Sequence, residues 1–221
     1  MRRYIIGLGS GRCGTKSLAK LLNECKYCNV SHEFRRKRKE ILNYRLRWYF
    51  TEKEIKDRVR YLKRIKGKLV GDVASYYANY VEYLIQNLEN VKFIYLYRDV
   101  DEVIKSFLKI TKKKGKPDTN HWISYKHPDI ISGKYSKVKW DRCFPKYYKV
   151  NDKKSAIRKY CEQYTEKMKK LRDKYSNLIF PVNVKMLNDQ PIQKAIFDFL
   201  EIPEKDRKYQ QVKENQSNVK K

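Results

Sequence analysis

Tyr4-Ile5-Ile6-Gly7-Leu8 runs straight into Gly9-Ser10-Gly11-Arg12-Cys13-Gly14-Thr15-Lys16-Ser17, after which Leu18, Leu21 and Leu22 recur at helical spacing. The first run is apolar and β-prone, so the stretch reads as strand, glycine-rich turn, helix. Glycines let a backbone turn tightly and bring its N–H groups close to an anion. The start of a helix adds N–H donors and a partial positive charge. Thr15 and Ser17 offer hydroxyls, and Arg12 and Lys16 offer charge. The whole loop, Gly11 through Ser17, is therefore a candidate anion cradle.

Several anions compete for it. An ATP or GTP loop of the Walker type requires lysine directly after the last glycine. Here Thr15 follows Gly14 and the lysine comes one residue later, a shift of about 100° round a helix. Asp72 is the nearest acidic residue to serve a magnesium ion at a strand end. The run from Gly9 to Gly14 also satisfies the dinucleotide pattern G-x-G-x-x-G, with Glu33 at the distance of a ribose-binding acid.

A second motif lies further on. Val91-Lys92-Phe93-Ile94-Tyr95-Leu96-Tyr97 is a strand pattern that ends in Arg98-Asp99, and a helical pattern begins at Val100. Ser106 stands eight residues after Arg98, two turns into that helix. A guanidinium at a strand end and a hydroxyl on the next helix can converge on one phosphate. Two anion sites at the carboxyl ends of two strands suit a ligand with phosphates at both ends. Dinucleotide binding gives no reason for the Arg98–Ser106 pair.

Gly11-Arg12-Cys13-Gly14-Thr15-Lys16-Ser17-Leu18 resembles the phosphosulfate loop of the P-loop sulfotransferases, a family that uses 3′-phosphoadenosine 5′-phosphosulfate (PAPS). Arg98 with Ser106 resembles its 3′-phosphate site, and Gly71-Asp72 through Ser106 resembles the segment containing it. Leu178–Val184 followed by Lys185 to Pro203 resembles its C-terminal strand and helix. The resemblance implies that Gly11, Arg12, Cys13, Gly14, Thr15, Lys16 and Ser17 hold the 5′-phosphosulfate and that Arg98 and Ser106 hold the 3′-phosphate. It implies a sulfuryl transfer that needs no metal, with Arg12 and Lys16 stabilising the leaving phosphate. Glu33, 21 residues after Arg12, matches a catalytic glutamate position in the glutamate-dependent members, such as the tyrosylprotein and trehalose types. Glu33 is the candidate base, with His32 as alternative or orienting partner. Val73-Ala74 depart from the pattern, for many members carry a lysine there. The glycine- and lysine-rich loop near the C-terminus of many members is also absent.

The chain has 221 residues, enough for one domain with a real core, and 41% apolar content. Lys and Arg number 53 against 25 Asp and Glu, a net charge of +28. That excess suits an anionic acceptor such as a charged glycan, or a nucleic acid. The joint richness in Lys, Tyr, Asn and Ile equally fits an AT-rich genome, with much of the lysine a solvated face. Five scattered cysteines point to a reducing compartment. Cys25 and Cys28 form C-x-x-C near His32 without the further ligands a zinc site needs. No apolar run is long enough for a membrane span, and no secretory leader is visible, so a soluble cytoplasmic protein is expected.

Alternation of strands and helices implies an α/β fold: a three-layer P-loop architecture with a parallel sheet of four to five strands between helices. Helices are expected at Thr15–Glu24, Arg35–Ile65, Asn79–Leu88, Asp101–Lys112 and Lys153–Tyr175, and strands at Cys28–Ser31 and Lys68–Gly71. Residues 1–203 form one domain and the polar tail from 204 is expected to be disordered. Residues 115–152, with His121, Trp122, His127 and Trp140, show little periodicity and are expected to be a lid over the acceptor site. The leading reading is a PAPS-dependent sulfotransferase acting on a hydroxyl or amine of a glycan or small molecule. A nucleotide or small-molecule kinase and a non-catalytic nucleic-acid-binding protein are the rivals.

Overall fold

The computed structural model describes residues 2–34, 52–111 and 153–212. In chain order they form β1 (Arg3–Leu8), α1 (Thr15–Asn23), β2 (Cys28–His32), α2 (Glu52–Arg64), β3 (Leu69–Val73), a 3-10 turn (Ser75–Asn79) and α3 (Val81–Asn87). Then come β4 (Val91–Tyr97), α4 (Val100–Thr111), α5 (Lys153–Lys174), β5 (Ile179–Asn183) and α6 (Gln190–Phe199). The first half of the expected Arg35–Ile65 helix and the expected lid, 115–152, lie outside the described residues.

The five strands form one parallel sheet in the order β2-β3-β1-β4-β5. A parallel sheet is covered on both faces, so its inner strands carry unbroken apolar runs. Accordingly Ile5, Ile6 and Leu8 of β1 and Phe93, Ile94 and Leu96 of β4 are fully buried. Gly71 of β3 has a packing reason: a Cβ there would lie 2.0 Å from the Ile5 carbonyl oxygen. Leu18, Leu21 and Leu22 of α1 pack against the sheet. On α5, Ile157, Tyr160, Cys161, Tyr164 and Met168 form the buried stripe at helical spacing.

Strand order places the site. From β1 the chain passes through α1 to β2 on one flank, returns to β3, and only then crosses β1 to reach β4. The chain therefore leaves β1 and its neighbour β4 in opposite directions, and a crevice opens at their carboxyl ends. Leu8 pairs with Tyr95. The loop after β1 and the residues after Tyr97 thus emerge side by side.

Residues 204–212 do not leave the domain as a disordered polar tail. Gln193 of α6 is buried; its amide nitrogen donates to the carbonyls of Leu187 (2.9 Å) and Gln210 (2.6 Å), and its oxygen accepts from the Gln210 N–H (3.0 Å). Val212 buries its side chain, and Asn188 caps its amide at 2.6 Å. A buried side-chain amide satisfied on every side is worth more than its hydropathy suggests. Gln193→Leu leaves those three backbone groups unanswered and is expected to cost about 2–4 kcal/mol. Native-state hydrogen exchange checks it: the amide of Gln210 should lose protection ahead of the sheet.

Candidate active site

The loop after β1 turns through left-handed backbone at Gly11 (φ 86°), Arg12 (58°) and Gly14 (74°). Turns of this kind gather N–H groups round an anion. Gly14 is needed twice over, because a Cβ there would also lie 2.3 Å from Cγ2 of Val184, just past β5. As the N-cap of α1 it brings no side-chain acceptor to the first-turn N–H groups. Helix α5 stakes the loop from behind. Tyr164 accepts from the Gly9 N–H at 2.9 Å and donates to the Ser75 carbonyl at 3.2 Å. Tyr160 donates to the Ser10 carbonyl at 2.9 Å. Burial pushes the Tyr164 hydroxyl well above its ordinary value, so it stays a donor.

The second motif meets the first in the crevice. Arg12 donates from Nε to Ser106 Oγ at 3.0 Å, and Arg98 donates from Nη1 to the Arg12 carbonyl at 3.3 Å. Two cationic groups, separated by most of a hundred residues in sequence, are thus brought together. Burial first, and then the charge of Arg98, lower the pKa of Arg12. A bound anion would relieve that crowding. Glu102, one turn beyond Arg98, accepts from Arg98 Nε at 2.8 Å with one oxygen and pairs with Lys185 Nζ at 2.6 Å with the other.

His32 and Glu33 flank the loop on its other side, at the end of β2. His32 Nε2 lies 3.0 Å from Thr15 Oγ1 at the head of α1. Glu33 has a left-handed backbone (φ 49°), costly for a residue with a Cβ. It is clamped on both sides: its N–H donates to the Val73 carbonyl at 3.1 Å, and the next N–H, of Phe34, donates to the Asp72 carboxylate at 3.2 Å. Glu33 is also near enough to Arg12 to favour its charge.

Asp72 is wholly buried and its oxygens are occupied: Ser31 Oγ donates at 2.7 Å and the Tyr77 hydroxyl at 2.7 Å, besides Phe34. The carboxylate that the sequence offered to a magnesium ion is instead the anchor of the β2–β3 strand ends. Arg58 of α2 caps the same turn, donating to the Phe34 carbonyl at 2.9 Å.

Of the residues expected in the site, Arg12, Gly14, Thr15, His32, Glu33, Arg98 and Ser106 are brought together. Cys13 and Ser17 turn their side chains inward. The Cys13 thiol approaches the Gly11 carbonyl (3.2 Å) and Ser10 Oγ (3.1 Å) within the loop. Lys16 is exposed on the first turn of α1. At 73–74, where a lysine was expected, Val73 and Ala74 are buried, and the Ala74 N–H bonds the Gly7 carbonyl. Sequence reasoning missed Tyr160, Tyr164, Glu102 and Lys185. Glu102 carried a signal in its spacing of four from Arg98 across the start of a helix.

A family model described as a sulfotransferase domain matches residues 4–185. The chain belongs to the sulfotransferase family. Its structure is similar to the crystal structure of a sulfotransferase from Alicyclobacillus acidocaldarius, with a TM-score of 0.55 at 14% identity over 97% of this chain and 87% of that one. At that identity the likeness speaks for the fold. A sugar kinase from Janibacter sp. HTCC2649 aligns with a TM-score of 0.45 at 11% identity over 94% of this chain and 99% of that one, too weakly to argue from. A search of curated proteins found no match. No helix among the described residues is long and apolar enough to cross a membrane.

The bridge at Glu102 has a pH consequence. Hydrogen bonds from Lys185 and then Arg98 hold its carboxyl at about 2, against an ordinary 4.5. The folded pKa is depressed, so the stability this pairing gives is fully present above pH 4.5 and is lost as pH falls through about 2. Carboxyl-carbon NMR should show Glu102 titrating well below the ordinary glutamate value of 4.5; a midpoint at 4 or above contradicts the bridge.

Proposed function

We propose that the protein transfers a sulfuryl group from PAPS to a hydroxyl or amine of a glycan or small molecule. The observation that carries the reading is the contact of Arg12 with Ser106 and Arg98. It joins the glycine loop to the second motif in one crevice, as a donor with a phosphosulfate at one end and a phosphate at the other requires. Family membership supports the reaction class. The occupied oxygens of Asp72 count against the kinase alternative, because that carboxylate is committed to Ser31, Phe34 and Tyr77 rather than available to a metal–nucleotide pair.

In this reading the loop N–H groups, the start of α1 and Arg12 face the 5′-phosphosulfate, and Arg98 and Ser106 face the 3′-phosphate. The donor supplies an activated sulfuryl group whose leaving oxygen belongs to the 5′-phosphate. Glu33 takes the acceptor's proton as the acceptor oxygen or nitrogen bonds to sulfur. Arg12 and the loop N–H groups stabilise the negative charge that gathers on the departing phosphate oxygen. His32, bonded to Thr15, orients the head of α1 and stands next to the base. A high positive charge on the chain suits an anionic acceptor.

Calorimetry with 3′-phosphoadenosine 5′-phosphate, the desulfated donor, should show binding that does not need magnesium. Arg98→Ala should weaken it about 10- to 100-fold, the range for a lost charge-assisted contact. Stabilisation by ATP–magnesium but not by the bisphosphate would transfer the reading to a kinase. With an identified acceptor, Glu33→Gln is expected to lower kcat by about 10²- to 10⁴-fold while leaving affinity for the bisphosphate intact. Full turnover in that variant would move the base elsewhere.

A further inference from the structure

The crevice holds a cation that the reading above leaves without a task. Lys185 lies in the short 3-10 turn Val184–Met186 that follows β5. Its backbone is fixed: its N–H donates to Asn183 Oδ1 at 3.0 Å, and the preceding Val184 packs into the space beside Gly14. Its side chain is 62% exposed, and its ammonium pairs only at its tip, 2.6 Å from one oxygen of Glu102. The other oxygen of Glu102 holds Arg98 Nε. One carboxylate therefore sets an ammonium and a guanidinium side by side, at the end of the crevice where Arg98 meets Arg12.

A phosphate monoester near neutral pH carries close to two negative charges. Arg98 alone, already shared with Glu102, supplies one cation against it. Lys185 and Arg98 together supply two, with Glu102 left to hold Arg98 in place once the ammonium has moved. A long side chain on a fixed backbone can swing its tip from the carboxylate to an arriving phosphate without moving the fold. Building on the donor reading above, we infer that Lys185 is a further contact for the 3′-phosphate, parked beside Arg98 by Glu102 until the donor arrives.

Two ligands separate a local contact from general attraction to a basic protein. 3′-Phosphoadenosine 5′-phosphate carries the extra phosphate; adenosine 5′-monophosphate does not. Affinities for both are measured by calorimetry at one fixed ionic strength, in the native chain and in Lys185→Met, Lys185→Arg and Lys170→Met. Lys170 pairs with Glu166 on the exposed side of α5 and controls for loss of charge. The expected result is that Lys185→Met weakens the bisphosphate about tenfold and the monophosphate by less than twofold, as one lost charge-assisted contact implies. Lys185→Arg should restore most of the loss, and Lys170→Met should change neither affinity. The inference is overturned if Lys185→Met leaves the bisphosphate unchanged, weakens both ligands equally, or is matched by Lys170→Met. A native chain that binds both ligands equally overturns the donor reading itself, and the Lys185 contact with it.

Discussion

Two like charges held together at the end of a sheet are the constraint round which this molecule is arranged. Arg12 follows β1 and Arg98 follows β4, and the parallel pairing of those strands brings both segments to the same end of the sheet, where Arg98 donates to the Arg12 carbonyl. Burial makes the crowding more costly, since it removes water that would screen the charges. The chain offsets this locally. Ser106 gives Arg12 a neutral acceptor, Glu33 lies within electrostatic range, and Glu102 gives Arg98 a formal counter-charge.

The loop must hold its shape for this to matter. A left-handed backbone at Arg12, where no glycine relaxes the cost, persists only if its surroundings determine it. Helix α5 supplies that determination from the opposite end of the sequence. Tyr160 and Tyr164 place two hydroxyls under the loop at Ser10 and Gly9, and Tyr164 extends the chain of bonds to Ser75 beyond β3. A buried tyrosine must satisfy its hydroxyl, so packing and loop geometry specify each other here.

Where the sequence could be read and where it could not follow from how local each signal is. The Val91–Tyr97 strand coincides with its apolar run because a buried parallel strand is written in consecutive residues. The strand at 69–73 runs past Gly71 because Asp72 is hidden inside it, and an acid inside a buried strand contradicts the apolar pattern. Its meaning depends on Ser31, Phe34 and Tyr77, none of them adjacent to it in sequence. The α5 helix was expected from the sequence, but what its tyrosine hydroxyls touch was not legible there. The polar look of 204–212 misled for a related reason. Gln193 and Asn188 satisfy backbone groups there, and such bonds leave no trace in hydropathy. The strand–turn–helix at 4–23 was legible because the glycines cluster between an apolar run and a helical spacing of leucines.

The same locality explains the division of labour across the crevice. Glu33 owes its position to β3, through the Val73 carbonyl and the Asp72 carboxylate, whereas Arg98 and Ser106 owe theirs to β4 and α4. The two sides meet at β1, its loop and helix α5 behind them. A change that loosens the Asp72 network therefore releases the turn carrying Glu33 while leaving the arginine–serine side in place. The fold thereby supports the arginine–serine cluster and the turn carrying Glu33 from different strands. The left-handed turn at Glu33 is stabilised by contacts that do not pass through Arg98, so substitutions at Arg98 leave that turn's supports at Val73 and Asp72 intact.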